Sequence, residues 1–215
     1  MPNKRIKIAI VGIGNCCSSL VQGLTYYKNA KDDQQVVGLM HTVLGGYRIS
    51  DIEVVAAFEV NKTKVGLDLA DAIYTKPNNT KVFAKVKKTG VIVQNAKVMD
   101  GIGEYLKDVI EVSKKPIPDP VKILKETGAE ILIDYLPVGS QKAVEYWADV
   151  CLKTKIAMIN CIPVFIASTE NWANKFKKAN LPIIGDDIKS QVGATIVHRV
   201  LTNLFLDRGM PIDRT

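Results

Sequence analysis

The N-terminal stretch KRIKIAIVGIGNCCSSL, residues 4–20, decides the fold class of this protein. Its apolar, β-branched run from Ile6 to Val11 is typical of a strand buried inside a parallel sheet. Gly12 permits a tight turn after this strand, and Gly14 permits another group to approach the backbone closely. The following Ser- and Leu-containing segment predicts a helix, whose free N–H groups and positive end suit a pyrophosphate. Strand, turn and helix together favour dinucleotide binding over a purely structural glycine turn.

The composition is that of an ordinary globular protein with a substantial core. The chain has 215 residues, of which 47% are apolar and 24% charged. Its net charge of +7 comes mainly from lysines dispersed over predicted helix faces, which argues against a nucleic-acid partner and favours small anionic ligands. The apolar run of the first strand is too short to cross a membrane and has no small-residue cleavage site, so we expect neither a membrane segment nor a signal peptide.

The four cysteines occupy positions 16, 17, 151 and 161, without CxxC spacing or a paired framework. This usage predicts reduced thiols and a cytoplasmic protein. No set of His, Cys and Asp residues has the spacing of metal ligands, so we predict no metal site. Cys17 stands where a dinucleotide turn usually has its third glycine, which predicts slightly different packing of the helix on the strand.

Strand and helix patterns alternate along the chain, which predicts an α/β fold with a doubly wound parallel sheet. Further strands are predicted at 51–60, 90–94, 130–136, 156–162 and 181–184. Helices are predicted at 20–28, 65–74, from Asp119-Pro120 to Gly128, at 141–152, at 169–180 and after Ser190, with an irregular segment over 29–48. Ligands of such sheets bind at the carboxyl ends of the strands, where site residues are therefore sought.

Glu59 ends the second predicted strand, where a carboxylate can bind both hydroxyl groups of an adenosine ribose. An acid at this place disfavours a 2′-phosphate, so NAD is expected rather than NADP. The alternative is a solvated acid at the end of a strand, and the same two interpretations hold for Asp68, about one helical turn further on. The turn residues, with Glu59, make up the predicted cofactor-binding set at this end of the chain: Gly12, Gly14, Asn15 and Cys16.

The segment GDDIKSQ, residues 185–191, places two carboxylates, a lysine and a serine at the end of another strand. Asp187 could hold a nicotinamide amide or a sugar hydroxyl, and Lys189 could meet a phosphate or a developing alkoxide. Both are predicted as catalytic residues. The alternative is that the acids and Ser190 merely cap the following helix.

Several segments together resemble the myo-inositol-1-phosphate synthase family, also known as the inositol-3-phosphate synthases. The matching segments cover residues 11–16, 18–23, 38–41, 68–73, 100–103, 135–140, 163–168 and 185–195. The resemblance implies a Rossmann-like domain that uses NAD to isomerise D-glucose 6-phosphate to 1D-myo-inositol 3-phosphate. The implied steps are oxidation, enolisation, intramolecular aldol closure and reduction. It also implies a cytoplasmic homotetramer that supplies inositol for phospholipid biosynthesis.

The resemblance further implies site residues. Positions matching Asp68, Thr127, Trp147 and Ser190 line the NAD site of the family, and Asp187 matches its acidic residue beside the nicotinamide. Two of these positions depart from the family, since Thr127 replaces an alanine and Trp147 a tyrosine. At both positions, contacts of the backbone or of the ring face would have to bind NAD.

The family pattern also divides the chain. Residues 1–186 match the NAD-binding domain, and residues 187–215 match a linker helix that enters the catalytic and tetramerisation domain. The catalytic lysines of the family follow in a region that this sequence does not contain, so we expect the chain alone to be inactive. The alternative function is a truncated, non-catalytic NAD-binding module.

Overall fold

The computed structural model describes residues 5–214, apart from the side chains of residues 104 and 105. Eight strands are formed: β1 (Ile6–Val11), β2 (Val43–Leu44), β3 (Tyr47–Arg48), β4 (Ile52–Glu59), β5 (Gln94–Asn95), β6 (Ile131–Asp134), β7 (Ala157–Asn160) and β8 (Ile183–Ile184). Six of them form one sheet in the order β5-β4-β1-β6-β7-β8 with every neighbouring pair parallel. The sequence order therefore reverses between β1 and β6, which opens a crevice at their carboxyl ends.

Helices cover both faces of this sheet. They are α1 (Asn15–Tyr26), α2 (Leu69–Ala72), α3 (Gly103–Leu106), α4 (Pro120–Thr127), α5 (Gln141–Thr154), α6 (Glu170–Lys178) and α7 (Ala194–Asp207), with a 3₁₀ turn at Ile49–Asp51. The predicted doubly wound, Rossmann-like α/β fold is thus confirmed.

Strand β1 separates two hydrophobic cores. Ala9 and Val11 point into a cluster shared with α4, α5 and α6, whereas Ile8 and Ile10 point into a cluster shared with α1 and α2. Alternate residues of a strand face opposite sides of a sheet, so a strand covered on both faces is apolar at every position. This double burial explains the uninterrupted apolar run from Ile8 to Val11.

Helix α4 follows its predicted boundaries. The Asp119 carboxylate accepts the Val121 N–H at 2.9 Å, Pro120 occupies the first turn, and Gly128 ends the helix with φ +66°. Asp119 pairs an N–H group that the helix leaves free, and Pro120 lacks the N–H donor that would have no partner in the first turn. Gly128 adopts the left-handed backbone conformation that ends the helix.

Other boundaries differ from the predicted ones. Helix α1 begins at Asn15, directly after the glycine turn, rather than near Leu20. The predicted helix over 65–74 is shortened to α2, because the chain before Asp68 forms turns that return it to the sheet. The segment 29–48 contains the β2–β3 hairpin, whose turn at Gly45 and Gly46 has positive φ at both residues.

The last helix also begins later than predicted. Gly193, not Ser190, stands at the N-cap of α7, so the prediction that Ser190 caps this helix is wrong. None of the α7 residues is buried, and its apolar side chains are exposed: Ile196, Val197, Val200, Leu201, Leu204, Phe205 and Leu206.

Candidate functional site

A cleft of about 400 Å³ lies at the carboxyl ends of β1, β4 and β6. Its floor is the glycine turn, and its sides come from the ends of the neighbouring strands and from the segment after β5. The residues that line it include Gly12, Gly14, Asn15, Phe58, Glu59, Lys64, Asn78, Ala96, Val98, Ile110, Leu136 and Trp147.

Glycine stands at the two positions of the turn for different structural reasons. Gly12 has φ +85°, and a Cβ atom there would lie 2.6 Å from the carbonyl oxygen of Tyr135, so the fold itself requires glycine. Gly14 has φ −90°, and a Cβ atom there would meet nothing within 4 Å. The backbone at Gly14 therefore tolerates a side chain, and the glycine leaves open space at the N-terminus of α1.

A half-buried acid and a buried cation hold the backbone of Ile13 between these glycines. The Glu59 Oε2 atom accepts the Ile13 N–H at 2.9 Å, and the Lys64 Nζ atom donates to the Ile13 carbonyl at 2.7 Å. The other oxygen of Glu59 accepts the N–H groups of Val60 and Asn61. A carboxylate has about four acceptor positions, so Glu59 keeps capacity for a further donor.

One wall of the cleft is apolar and aromatic. Trp147 is buried, with its ring centroid 4.9 Å from that of Phe58. The segment after β5 closes this wall, and Asp100 ties it to α5 by accepting the N–H groups of Lys142 and Ala143. The result is a largely apolar wall, which suits contact with an aromatic base.

Two residues predicted from the family resemblance are not brought to this cleft. Asp68 caps α2, and its carboxylate oxygens accept hydrogen bonds from Ala70, Thr89 and Gly90. Although burial works in the opposite direction, these hydrogen bonds lower the pKa of Asp68. Thr127 ends α4, where its hydroxyl donates to the Ile123 carbonyl. That helix end lies beside Lys7, at the opposite edge of the sheet from the glycine turn.

Asn15 and Cys16 lie at the start of α1, where a second groove meets the cleft. Asn15 lines both cavities, and its Oδ1 atom accepts the N–H groups of Asn79 and Thr80. Cys16 is exposed and lines the second groove with Tyr135 and Ile188. From this shared end, the second groove runs along α1 to Ile52, at the start of β4.

The two adjacent acids after β8 have different surroundings. The Asp186 carboxylate accepts hydrogen bonds from Asn160, Ala167 and Ser168. Burial opposes the effect, but these bonds lower the pKa of Asp186. Asp187 is exposed with φ +71°, and its N–H donates to the Ile162 carbonyl. Within residues 5–214, no hydrogen bond or ion pair is formed by the side chains of Asp187, Lys189 or Ser190.

Asp134 ends β6 and is completely buried. Its Oδ1 atom accepts the Leu136 N–H at 2.8 Å, whereas its Oδ2 atom has no partner in the described structure. Burial raises the pKa of Asp134 to about 7. The carboxyl group lies outside the residues that line the cleft.

Sequence reasoning missed Lys64, Asn78 and Asp100, which brace the turn and the apolar wall. Neither Lys64 nor Asn78 belongs to a recognisable motif, and only the DGIG segment at 100–103 gave a signal, through the family resemblance.

None of the helices in residues 5–214 is both long and apolar enough to cross a membrane. That same range holds no cluster of three or more His, Cys, Asp or Glu residues able to bind a metal. All four cysteines are free thiols.

No family model matches the chain. The inositol-3-phosphate synthase of Mycolicibacterium smegmatis is 53% identical over 210 residues, which are 98% of this chain and 58% of that protein. The inositol-3-phosphate synthases of Mycobacterium tuberculosis and Corynebacterium glutamicum are 53% and 47% identical, and the chain covers 57% and 59% of them. The chain thus spans less than two thirds of the length of these relatives.

Solved structures also resemble the chain. The crystal structure of Ari2 superposes with a TM-score of 0.79 at 32% identity, over 95% of this chain and 61% of that one. A myo-inositol-1-phosphate synthase-related protein from Thermotoga maritima superposes with a TM-score of 0.67 at 20% identity, over 95% of this chain and 60% of that one, which supports the fold alone. Over nearly its whole length, the chain is therefore similar to proteins named inositol-3-phosphate synthase.

Proposed function

We propose that this chain forms the NAD-binding part of an inositol-3-phosphate synthase. The observation that carries the proposal is the open space above Gly14, at the N-terminus of α1 and between Glu59 and Lys64. The relatives named inositol-3-phosphate synthase supply the reaction. The cofactor, the substrate and the reaction are parts of this proposal.

The residues of the cleft fit the parts of NAD. The apolar wall formed by Trp147 and Phe58 suits the adenine ring, and the remaining acceptor position of Glu59 suits a ribose hydroxyl. The space above Gly14 suits the pyrophosphate, because a helix N-terminus attracts negative charge. The second groove begins at Asn15 and is lined by Ile188, the neighbour of Asp187, so the nicotinamide half would extend on this side.

We expect the protein to bind NAD at least tenfold more tightly than NADP. A 2′-phosphate would lie beside the Glu59 carboxylate, and two like charges at close range in a partly buried site repel strongly. Calorimetric titration of the purified protein with each dinucleotide measures the ratio. Glu53→Gln, which removes an exposed acid from the same strand, is the control and should leave the ratio unchanged. Equal or tighter binding of NADP would contradict the proposal for Glu59.

The proposed reaction converts D-glucose 6-phosphate to 1D-myo-inositol 3-phosphate. When bound, NAD would accept a hydride from C5 of the sugar and return it after ring closure. Asp187 would hold the nicotinamide amide or a sugar hydroxyl, and Lys189 would stabilise a phosphate or an alkoxide oxygen. Both side chains are exposed and project from the carboxyl edge of the sheet, where a substrate can reach them. Ser190 would contribute to the same edge.

The division between cofactor binding and catalysis gives a further prediction. We expect residues 1–215 alone to bind NAD but to form no inositol phosphate, because the family's lysines that stabilise the enolate and alkoxide are not in this sequence. The exposed apolar side of α7 should make the isolated chain self-associate. Chromatography of the products and light scattering on the same sample measure both results. Product formation would contradict the first statement, and a monodisperse monomer the second.

A non-catalytic NAD-binding module, which would need only the glycine turn and the cleft, is the second candidate. Product formation by a complete protein that contains this chain would exclude it.

We further propose that residues 1–186 form the cofactor domain and 187–215 a linker helix. A cytoplasmic homotetramer, serving inositol and phospholipid biosynthesis, completes the proposal.

A further inference from the structure

Lys64 is a buried cation beneath the glycine turn. It is 3% exposed, yet it lines the cleft beside Gly14. Its Nζ atom donates to the Ile13 carbonyl and to the Asn78 Oδ1 atom, both at 2.7 Å. Asn78 in turn donates to the carbonyls of Ile13, Gly14 and Ile73, so the position of the ammonium group is fixed from several sides.

The charge of Lys64 is not balanced by a direct ion pair. Its two hydrogen-bond partners are neutral, and among the side chains that the structure describes no carboxylate comes within 4.0 Å of its Nζ atom. Glu59 acts on it only from a longer distance. Burial lowers the pKa of Lys64, although attraction to Glu59 opposes this shift. An ammonium group has three N–H donors, so one remains for a further acceptor.

A buried charge without a partner is costly, which calls for a group that compensates it. We propose that Lys64 binds the diphosphate of the dinucleotide from below the turn. The anion would lie between the N–H groups of α1 and the third donor of Lys64, and it would neutralise the charge that the protein alone leaves unpaired. This inference rests on the proposed NAD site and assigns it a specific cation.

The test compares Lys64→Met and Lys64→Gln with the unaltered protein. We expect both variants to bind NAD and ADP about ten- to a hundredfold more weakly, the usual effect of losing a charge-assisted hydrogen bond. Adenosine, which has no phosphate, should bind all three proteins equally in ligand-observed NMR. Lys64→Gln retains an N–H donor for the Ile13 carbonyl, so it separates loss of charge from loss of the brace. Near-ultraviolet circular dichroism and thermal melting check that both variants fold.

Lys62→Met is the matched control, because Lys62 lies two residues away, is exposed and pairs with Glu111. It should bind NAD and ADP like the unaltered protein. Unchanged affinity of both folded Lys64 variants for NAD and ADP would overturn the inference while leaving the NAD site intact. If the unaltered protein binds ADP in a Lys64-dependent way but not NAD, the cofactor proposal fails and the diphosphate site stands. Binding of neither ligand would overturn both.

Discussion

The substitution Gly14→Val should abolish NAD binding while leaving the fold intact. The backbone of Gly14 has φ −90° and ψ −159°, an extended conformation that valine adopts readily. A Cβ atom at this position meets no protein atom within 4 Å, so the added methyl groups would occupy only the space that we assign to the pyrophosphate. We expect a loss of affinity of about a hundredfold or more in calorimetric titration, with a free energy of unfolding within about 1 kcal/mol of the unaltered protein.

Two other glycines separate the possible causes. Gly23 also has open space around it, but it lies nine residues, or roughly 13 Å, further along α1. Because Gly23 lines the second groove and not the space above the turn, Gly23→Val should weaken NAD binding much less than Gly14→Val does. Gly12→Val should fail to fold, because its Cβ atom would collide with the Tyr135 carbonyl. Normal NAD binding by Gly14→Val would show that no ligand occupies the space above the turn.

The substitution Asp187→Asn should reduce turnover by about a hundredfold or more in the complete enzyme that contains this chain. The reason is that the carboxylate, as we propose, holds the nicotinamide or a hydroxyl of the sugar. Asparagine tolerates the positive φ of this position, so the backbone should keep its path. The assay follows inositol phosphate formed from glucose 6-phosphate, and thermal melting should be unchanged.

Asp186→Asn provides the reverse case. Asp186 supports the loop after β7 through its bonds to Asn160, Ala167 and Ser168, so this variant should lose about 1–3 kcal/mol of stability. A contrast between the neighbours, one affecting catalysis and the other stability, is therefore expected. Turnover of Asp187→Asn within a few-fold of the unaltered enzyme would leave Asp187 without a role in the reaction.

Elements whose signals are local in the chain could be predicted from sequence. The boundaries of α4 depend on Asp119, Pro120 and Gly128, each of which acts on its own or the neighbouring peptide groups. The buried strand β1 and its glycine turn are likewise contained in one segment. Ser190 is the instructive failure, because serine and glycine both suit an N-cap and only the path of the chain selects Gly193.

Residues whose roles depend on distant segments could not be found in this way. Lys64 is an ordinary lysine between a strand and a helix, and its burial arises from Asn78 and from the turn about fifty residues before it. Asp100 caps a helix that begins more than forty residues later. Thr127 shows the converse, since a position carried over by resemblance lies at the edge of the sheet that is remote from the cleft.

Burial of Asp134 couples the folding of this chain to the uptake of a proton at this carboxyl group. Its pKa rises from an ordinary value of 3.8 to about 7 on burial, so between these pH values the folded chain carries a proton that the unfolded chain has lost. The stability associated with this group is fully present below pH 4 and disappears as the pH rises through 7, a change of about 4 kcal/mol at 1.36 kcal/mol per pKa unit. Near neutral pH the Asp134 carboxyl group, at the end of the strand beside the glycine turn, is therefore only partly protonated and can take up or release a proton.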